Sequence, residues 1–574
     1  MANPGTNPSR ASRPPTRATI RIALVALAVV ILSGVALRAC CLDRQVVFDD
    51  EVWTAFRVAG VSESELASSF DDRVHDVASW RARYFTPSAR GAPAIVRTLA
   101  HDEPQWPPLY YVLTWSWERI AGSSPVAART LAAVLGVLAI PAVAWLAREL
   151  FRSNLAAAIA GALFAVSPLA VAYAREARGY SLLMLAIAAS SAALLRASRT
   201  RAPRDWAIYG VALLVGLYDY TLFAAVAAGH ALWVVLDRGN ARPAVRSYLL
   251  AALPALALWS PWLLVALAGR GQIAARLPTT AGYAFATFVL PKWGYNVSLP
   301  FFALDFWEVR LWWLTLPIAA IIACAIGVLL RIANGRPALL FLAAFSLPTV
   351  GVLMLVDLHW HLALVLLARY EMPLMMAVEL VVAGALASLA DASKTSRIER
   401  LTAFAVGGLL LGTSAASSAR VTGSPYWWDT WYDASVFPVV DTIDARARPL
   451  LIAEEQTAPE VIFANGLRDD TRLLLLRSDR DGRCRRAVID LGSSRAFLLT
   501  RPASLVHQPR MQPDVRLKPV VVSDGRAGLA WRYEEMLRGH APRGAPLHFI
   551  TFELFRIDQV ATTVRHLRHL VVCR

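Results

Sequence analysis

The chain has 574 residues, 56% of them hydrophobic and 17% charged, with a mean hydropathy of +0.46, which excludes a soluble protein of ordinary make-up. Its formal net charge of +16 raises nucleic acid as a partner, but much of the arginine sits in short clusters between apolar segments. There it reads as membrane-topology signal, and no nucleic-acid partner is expected. The five cysteines, Cys40, Cys41, Cys324, Cys484 and Cys573, have no metal-like spacing, and a Cys484–Cys573 disulfide is open if that region lies outside the cytoplasm.

Residues 1–19, rich in Pro, Ser and Arg, predict a disordered cytoplasmic tail, and the apolar run Ile20 to Ala39 is too long for a cleaved signal and predicts a first span. About ten residues later come three consecutive acids, Asp49, Asp50 and Glu51. Negative charge concentrated at a membrane surface costs desolvation, so it persists most readily where it does chemistry or binds something. Further spans are expected at 126–147, 154–173, 180–196, 205–219, 221–237, 247–268, 310–331, 337–357, 372–390 and 401–419, about eleven in all with the first.

The short connections divide by charge. Arg148 and Arg152, Arg196 to Arg204, Arg238 to Arg246, Arg331 and Arg336, and Lys394 to Arg400 mark the cytoplasmic side under the positive-inside rule. This requires that the short amphipathic piece Pro107 to Ile120 lie on the outer interface rather than cross. The loop 41–125, the turn Ala174 to Gly179, the loop 270–309 and the stretch His359 to Tyr370 then emerge together on the outer face. Everything after Arg420 follows them, and short strand-like runs at 449–453, 460–464, 472–476, 487–491, 496–500, 518–522 and 547–554 predict an extracytoplasmic soluble α/β domain over 420–574.

Several ordered strings carry a family resemblance: Phe48-Asp49-Asp50-Glu51, Asp102 to Tyr111 (DEPQWPPLYY), Ala128-Arg129-Thr130-Leu131, Ser167-Pro168 leading to Tyr173 to Tyr180 (YAREARGY), and Ala368-Arg369-Tyr370. They resemble the GT-C superfamily of membrane glycosyltransferases, in the branch of protein O-mannosyltransferases and the lipid A aminoarabinose transferase (glycosyltransferase family 39-like). The resemblance covers roughly residues 20–390. It implies a mainly α, polytopic GT-C catalytic domain over 20–419 in a bacterial cytoplasmic membrane. It also implies inverting transfer of a sugar from a polyprenyl-phosphate donor to an acceptor lipid, protein or glycan at the outer face.

That reaction needs a carboxylate to take the proton of the attacking hydroxyl. Asp50 matches the Asp of the family's Asp-Glu pair, Glu51 is the second candidate, and Asp49 serves if the pair is read one residue early. Adjacent carboxylates repel, which favours one poised to take a proton. The plain alternative is a solvated acidic turn or helix cap. The departing lipid phosphate needs fixed cations. Arg178 and Arg369, beside Tyr370, fall inside family-like strings and offer bidentate contact, Arg175 is a further outer-face candidate, and Lys292 rests on position alone; snorkelling to headgroups is the bland reading for each.

Several relatives in this branch carry an Asp near position 180, a second acid that faces the first across the cavity. Here Tyr180 stands in its place, and Glu176 one helical turn earlier either replaces it or pairs with Arg175 or Arg178. Trp106, Tyr110 and Tyr111 are expected to line a sugar or prenyl groove, or simply to anchor at the interface. Asp102 and Glu103, with His101, form a possible divalent-cation or acceptor site of poor ligand geometry, so no cofactor is assigned. A transporter or flippase of envelope precursors is the rival function, and a scaffold with a degenerate site is another.

Overall fold

The computed structural model describes residues 17–237, 242–276, 290–303, 313–360, 364, 367–391, 395–425, 427, 436–454 and 467–476, and strand residues 485–487, 496–500, 515–521, 553–559 and 570–572. Helix α1 (Arg17–Ala39) leads into a loop built from α2 (Asp49–Val58), α3 (Glu63–Ser68), strand β1 (Val74–Asp76), α4 (Val77–Tyr84), α5 (Ala92–Asp102) and α6 (Leu109–Ala121). The bundle continues with α7 (Pro125–Phe151), α8 (Asn154–Val166), α9 (Pro168–Tyr173), α10 (Tyr180–Thr200), α11 (Pro203–Asp219), α12 (Phe223–Leu236) and α13 (Arg242–Ala268). After α14 (Arg270–Arg276) and α15 (Leu290–Ser298) come α16 (Leu316–Arg331), α17 (Gly335–Trp360), α18 (Met372–Ala390), α19 (Arg397–Gly423) and α20 (Val436–Asp444).

Among the described residues eight helices are long and apolar enough to cross a membrane: α1, α7, α10, α13, α16, α17, α18 and α19. The other expected spans are helical but shorter. Helices α8 and α12 are apolar with 13 and 14 residues, and α11 has 17. The expected span 154–173 is two helices, because Pro168 holds Ser167 in an extended conformation between them. Cap chemistry sets several starts: Ser124 accepts from the Ala127 amide ahead of Pro125, and Ser153 accepts from Ala156. Arg152 and Arg201 end α7 and α10 in the left-handed conformation. Helix α18 is buried along most of its length whereas α1 faces outward, touching α8 where a side chain on Gly34 would come within 2.3 Å of the Ala165 carbonyl oxygen.

Helix α7 starts at the first loop and ends at Arg148 and Arg152, α10 ends at Arg196 to Arg201, and α11 returns. The basic connections therefore lie at the bundle end opposite the first loop. At that end Arg199 pairs with Glu149, and Arg196 reaches Asp205 at 3.3 Å.

Strands β2 (Leu450–Glu454), β3 (Arg472–Leu476), β5 (Ala496–Thr500), β6 (Val515–Val521) and β7 (Glu553–Gln559) form a mixed sheet with β1, in the order β1-β3-β2-β5-β7-β6. The short β4 (Arg485–Ala487) and β8 (Leu570–Val572) pair separately. Strand β2 is parallel to β3 and β5, the remaining pairs are antiparallel, and β1 from the first loop closes one edge, Val74 opposite Leu474. Alternate residues Leu451, Ala453, Leu473 and Leu475 face one apolar core with Val46, Val52, Phe56, Phe70, Trp80 and Tyr84 of the loop and Val436 and Ile443 of α20. The boundary expected at residue 420 therefore divides two chain segments that share a core. The expected strands 460–464 and 547–552, and both cysteines of the 484–573 pairing, lie outside the described residues.

Candidate active site

Helix α2 begins with the three acids in its first turn, where the helix dipole favours negative charge. Glu51 reaches back to the Phe48 amide at 3.4 Å, so it sits under the helix start and points inward. There it meets Arg129 in a bidentate pair, Nε to Oε1 at 2.8 Å and Nη2 to Oε2 at 2.5 Å, and accepts from the Ala177 amide at 2.8 Å. Arg129 spends its other donors on the carbonyls of Leu42, Gln45 and Val46. Glu51 thus joins α1's exit, α2, α7 and the 174–179 turn, and every strong acceptor position it has is occupied.

Asp50 points the other way and is 24% exposed. Arg369, delivered by the 3-10 turn Ala368–Tyr370 ahead of α18, lies 3.2 Å from its Oδ2, and the Tyr180 hydroxyl donates to the same oxygen at 3.4 Å. Arg178 donates to the Asp50 backbone carbonyl at 3.3 Å, to Thr54 Oγ1 at 3.1 Å and to the Tyr111 hydroxyl at 3.1 Å, with its guanidinium 4.6 Å from the Trp106 ring. Burial pushes the Asp50 carboxyl up, but the charges of Arg369 and then Arg178, with the Tyr180 hydroxyl, outweigh it and hold the group below its ordinary range. Residues 50, 178 and 369, far apart in sequence, so converge at one end of the bundle with Trp106, Tyr111, Tyr180 and Tyr370.

Other expected residues do different things. Arg175 is fully buried and donates to the carbonyls of Leu37, Cys40 and Cys41, capping the end of α1 rather than facing Asp50. Asp102 and Glu103 both turn to the buried Arg57, at 2.9 and 2.7 Å, and His101 Nδ1 lies 2.7 Å from Asp102. This corrects the reading of 101–103 as an open cation or acceptor site: the carboxylates neutralise a guanidinium taken out of water. Among the described residues no three His, Cys, Asp or Glu side chains gather as a metal site. Glu176 is buried near Tyr180, Asp49 is half-buried at the first position of α2, and Tyr110 is buried between α6, α7 and α10. Lys292 lies on α15, but its side chain is outside the described residues.

Sequence reasoning assigned Arg129 only to the opening of a span and overlooked Thr54, Arg57 and Asp219. Asp219, the last residue of α11, is 3% exposed and comes against Gly179. A groove of about 490 Å³ between α11 and α13 runs past Arg201, Trp206 and Leu258 and plays no part in this cluster.

The family described as dolichyl-phosphate-mannose-protein mannosyltransferase matches residues 105–265. The chain is similar to ArnT from Cupriavidus metallidurans. The apo structure gives a TM-score of 0.53 at 13% identity, over 96% of this chain and 98% of that one. The structure bound to undecaprenyl phosphate gives 0.50 at 12% identity, over 96% and 99%. No curated protein matches the chain in sequence. Over residues 105–265 the chain matches this mannosyltransferase family, and along its length it shares the GT-C fold of ArnT.

Proposed function

We propose that the chain moves a sugar from a polyprenyl-phosphate donor to an acceptor hydroxyl at the outer face of a bacterial cytoplasmic membrane, with inversion. The observation that carries this is the ion pair of Asp50 with Arg369 at 3.2 Å, flanked by Arg178. Asp50 is ionised and partly exposed, so it can accept a proton. Arg369 and Arg178 are the cations a departing lipid phosphate requires. ArnT holding undecaprenyl phosphate supports a lipid phosphate as the leaving group.

The resting pair implies an order of events. A donor phosphate competes with Asp50 for Arg369. Once the guanidinium turns to phosphate, the carboxylate loses its principal cation and becomes a better base. The acceptor oxygen then attacks the anomeric carbon as its proton passes to Asp50, and the carbon–oxygen bond to phosphate breaks with the electron pair leaving on the lipid phosphate. Glu51, saturated by Arg129, holds the helix that presents Asp50. The outer-face placement rests on the basic loops at the opposite bundle end.

Asp50→Asn tests this: consumption of lipid-linked sugar by the purified protein should fall about 10²- to 10⁴-fold with the fold intact. Undiminished turnover would remove Asp50 from the reaction.

A further inference from the structure

Three buried polar groups beside the acid–arginine cluster have no hydrogen-bond partner among the described residues: both carboxylate oxygens of Asp219, the Tyr220 hydroxyl and the side-chain carbonyl of Gln105. They come from two segments that the fold ties together. Thr221 donates to the Gln105 backbone carbonyl at 2.6 Å, and the rings of Trp106 and Tyr220 lie 5.2 Å apart. The third wall is Gly179, where a β-carbon would sit 2.6 Å from Asp219 Oδ1, so this carboxylate has room only because residue 179 lacks a side chain. Next along the chain, Arg178 lies within electrostatic reach of Asp219 and bonds to the Asp50 carbonyl, which joins this corner to the reacting centre.

Buried polar atoms are almost always satisfied, and an unpartnered carboxylate is among the costliest to leave bare. Asp219 offers two carboxyl oxygens, Gln105 its side-chain carbonyl oxygen, and Tyr220 a hydroxyl. Such a set fits a ligand that brings several donors. The rings of Trp106, Tyr180 and Tyr370 around Tyr220, the latter two at 6.4 Å from it, supply apolar faces. Hydroxyls in a ring plane and carbon–hydrogen faces above and below it are the surface of a sugar.

We propose that Asp219, Gln105 and Tyr220 form the subsite that accepts hydrogen bonds from the hydroxyl groups of the transferred sugar, with Gly179 keeping the carboxylate in place. This rests on the donor assigned above and deepens it: Arg369 and Arg178 hold the phosphate, and Asp219 distinguishes a glycosylated lipid from a bare one.

The test is binding to the full-length chain in detergent. The probes are bare undecaprenyl phosphate and undecaprenyl-phosphate monosaccharides carrying mannose, glucose, galactose or arabinose. The wild-type chain should bind at least one glycosylated lipid more tightly than bare undecaprenyl phosphate. Asp219→Asn should lose that margin, about ten- to a hundredfold, while its affinity for the bare lipid stays unchanged. Gly179→Ala, which keeps every polar group but crowds the carboxylate, should lose it similarly, and Tyr220→Phe by several-fold. These two decide the matter if Asp219→Asn does not fold. A wild-type margin retained in all folded variants would overturn the subsite alone. A wild-type chain that binds no glycosylated lipid better than the bare one would overturn the donor assignment and the subsite with it.

Discussion

Arg129 holds both carboxylate oxygens of Glu51, at 2.8 and 2.5 Å, in a setting where neither side chain is more than 3% exposed. Adjacent acids in one helical turn thereby acquire opposite fates: Glu51 is locked inward, and Asp50 faces Arg369 at 3.2 Å while staying 24% exposed. Removing one partner of a buried pair leaves an uncompensated charge, so Arg129→Met should cost about 3–5 kcal/mol of stability, whereas Asp50→Asn should melt close to the wild type. Thermal unfolding in detergent measures both. A Glu51→Gln chain of wild-type melting temperature and no activity would make Glu51 the base instead.

The position of Asp50 also fixes a pH dependence. Its carboxyl lies below the ordinary range, so the acid limb of kcat/KM, which reports the free enzyme, should lie below that of an ordinary aspartate. Arg369→Gln removes the leading cation and should move that limb upward. The stabilisation from the pair is present above the unfolded carboxyl value and is lost as pH falls through the folded one. If donor phosphate draws Arg369 away, the limb in kcat should lie higher than the limb in kcat/KM. Superimposed limbs would rule out the exchange.

Glu118 offers a stability probe away from the chemistry. Burial raises its carboxyl to about 8, so the folded state keeps a proton that the unfolded chain gives up near 4.5. Stability from this group is complete below pH 4.5 and is lost as pH rises through 8. Glu118→Gln, fixed in the neutral form, should raise the melting temperature at pH 8.5 and leave it unchanged at pH 4, with a gain of about 5 kcal/mol at most. An equal shift at both pH values would show that folding leaves the carboxyl's proton affinity unchanged.

Truncation after Gly423 should damage the first loop as well as remove the last segment. It exposes Val46, Phe56 and Trp80, which pack against Val436, Leu451 and Leu473, and it removes the Pro425 carbonyl that accepts from the Val46 amide at 2.8 Å. The shortened chain should lose activity together with protease resistance over residues 46–85. Loss of activity with that stretch still protected would assign the C-terminal domain to acceptor recognition alone.

The bundle was legible in the sequence because lipid demands long apolar runs and positive loops leave a plain charge signature. Asp50, Arg178 and Arg369 were legible because each sits in an ordered string at a span boundary. Strands β2, β3 and β5 announced themselves as short apolar runs between turns. Asp219 escaped notice because it reads as the end of an apolar run, and only the return of α11 to the 178–180 turn gives it neighbours. Asp102 and Glu103 looked available because their partner, Arg57, is about 45 residues away and nothing local predicts that an arginine there is buried. Strand β1, three residues in a polar stretch, is too short to show a period and exists because β3 offers it an edge.

That edge has a bearing on how the protein is made. Val74–Asp76 leaves the ribosome nearly four hundred residues before β3, its neighbour in the sheet among the described residues. The segment that presents Asp50 must therefore wait, half-assembled, until the helices between β1 and β3 have been made.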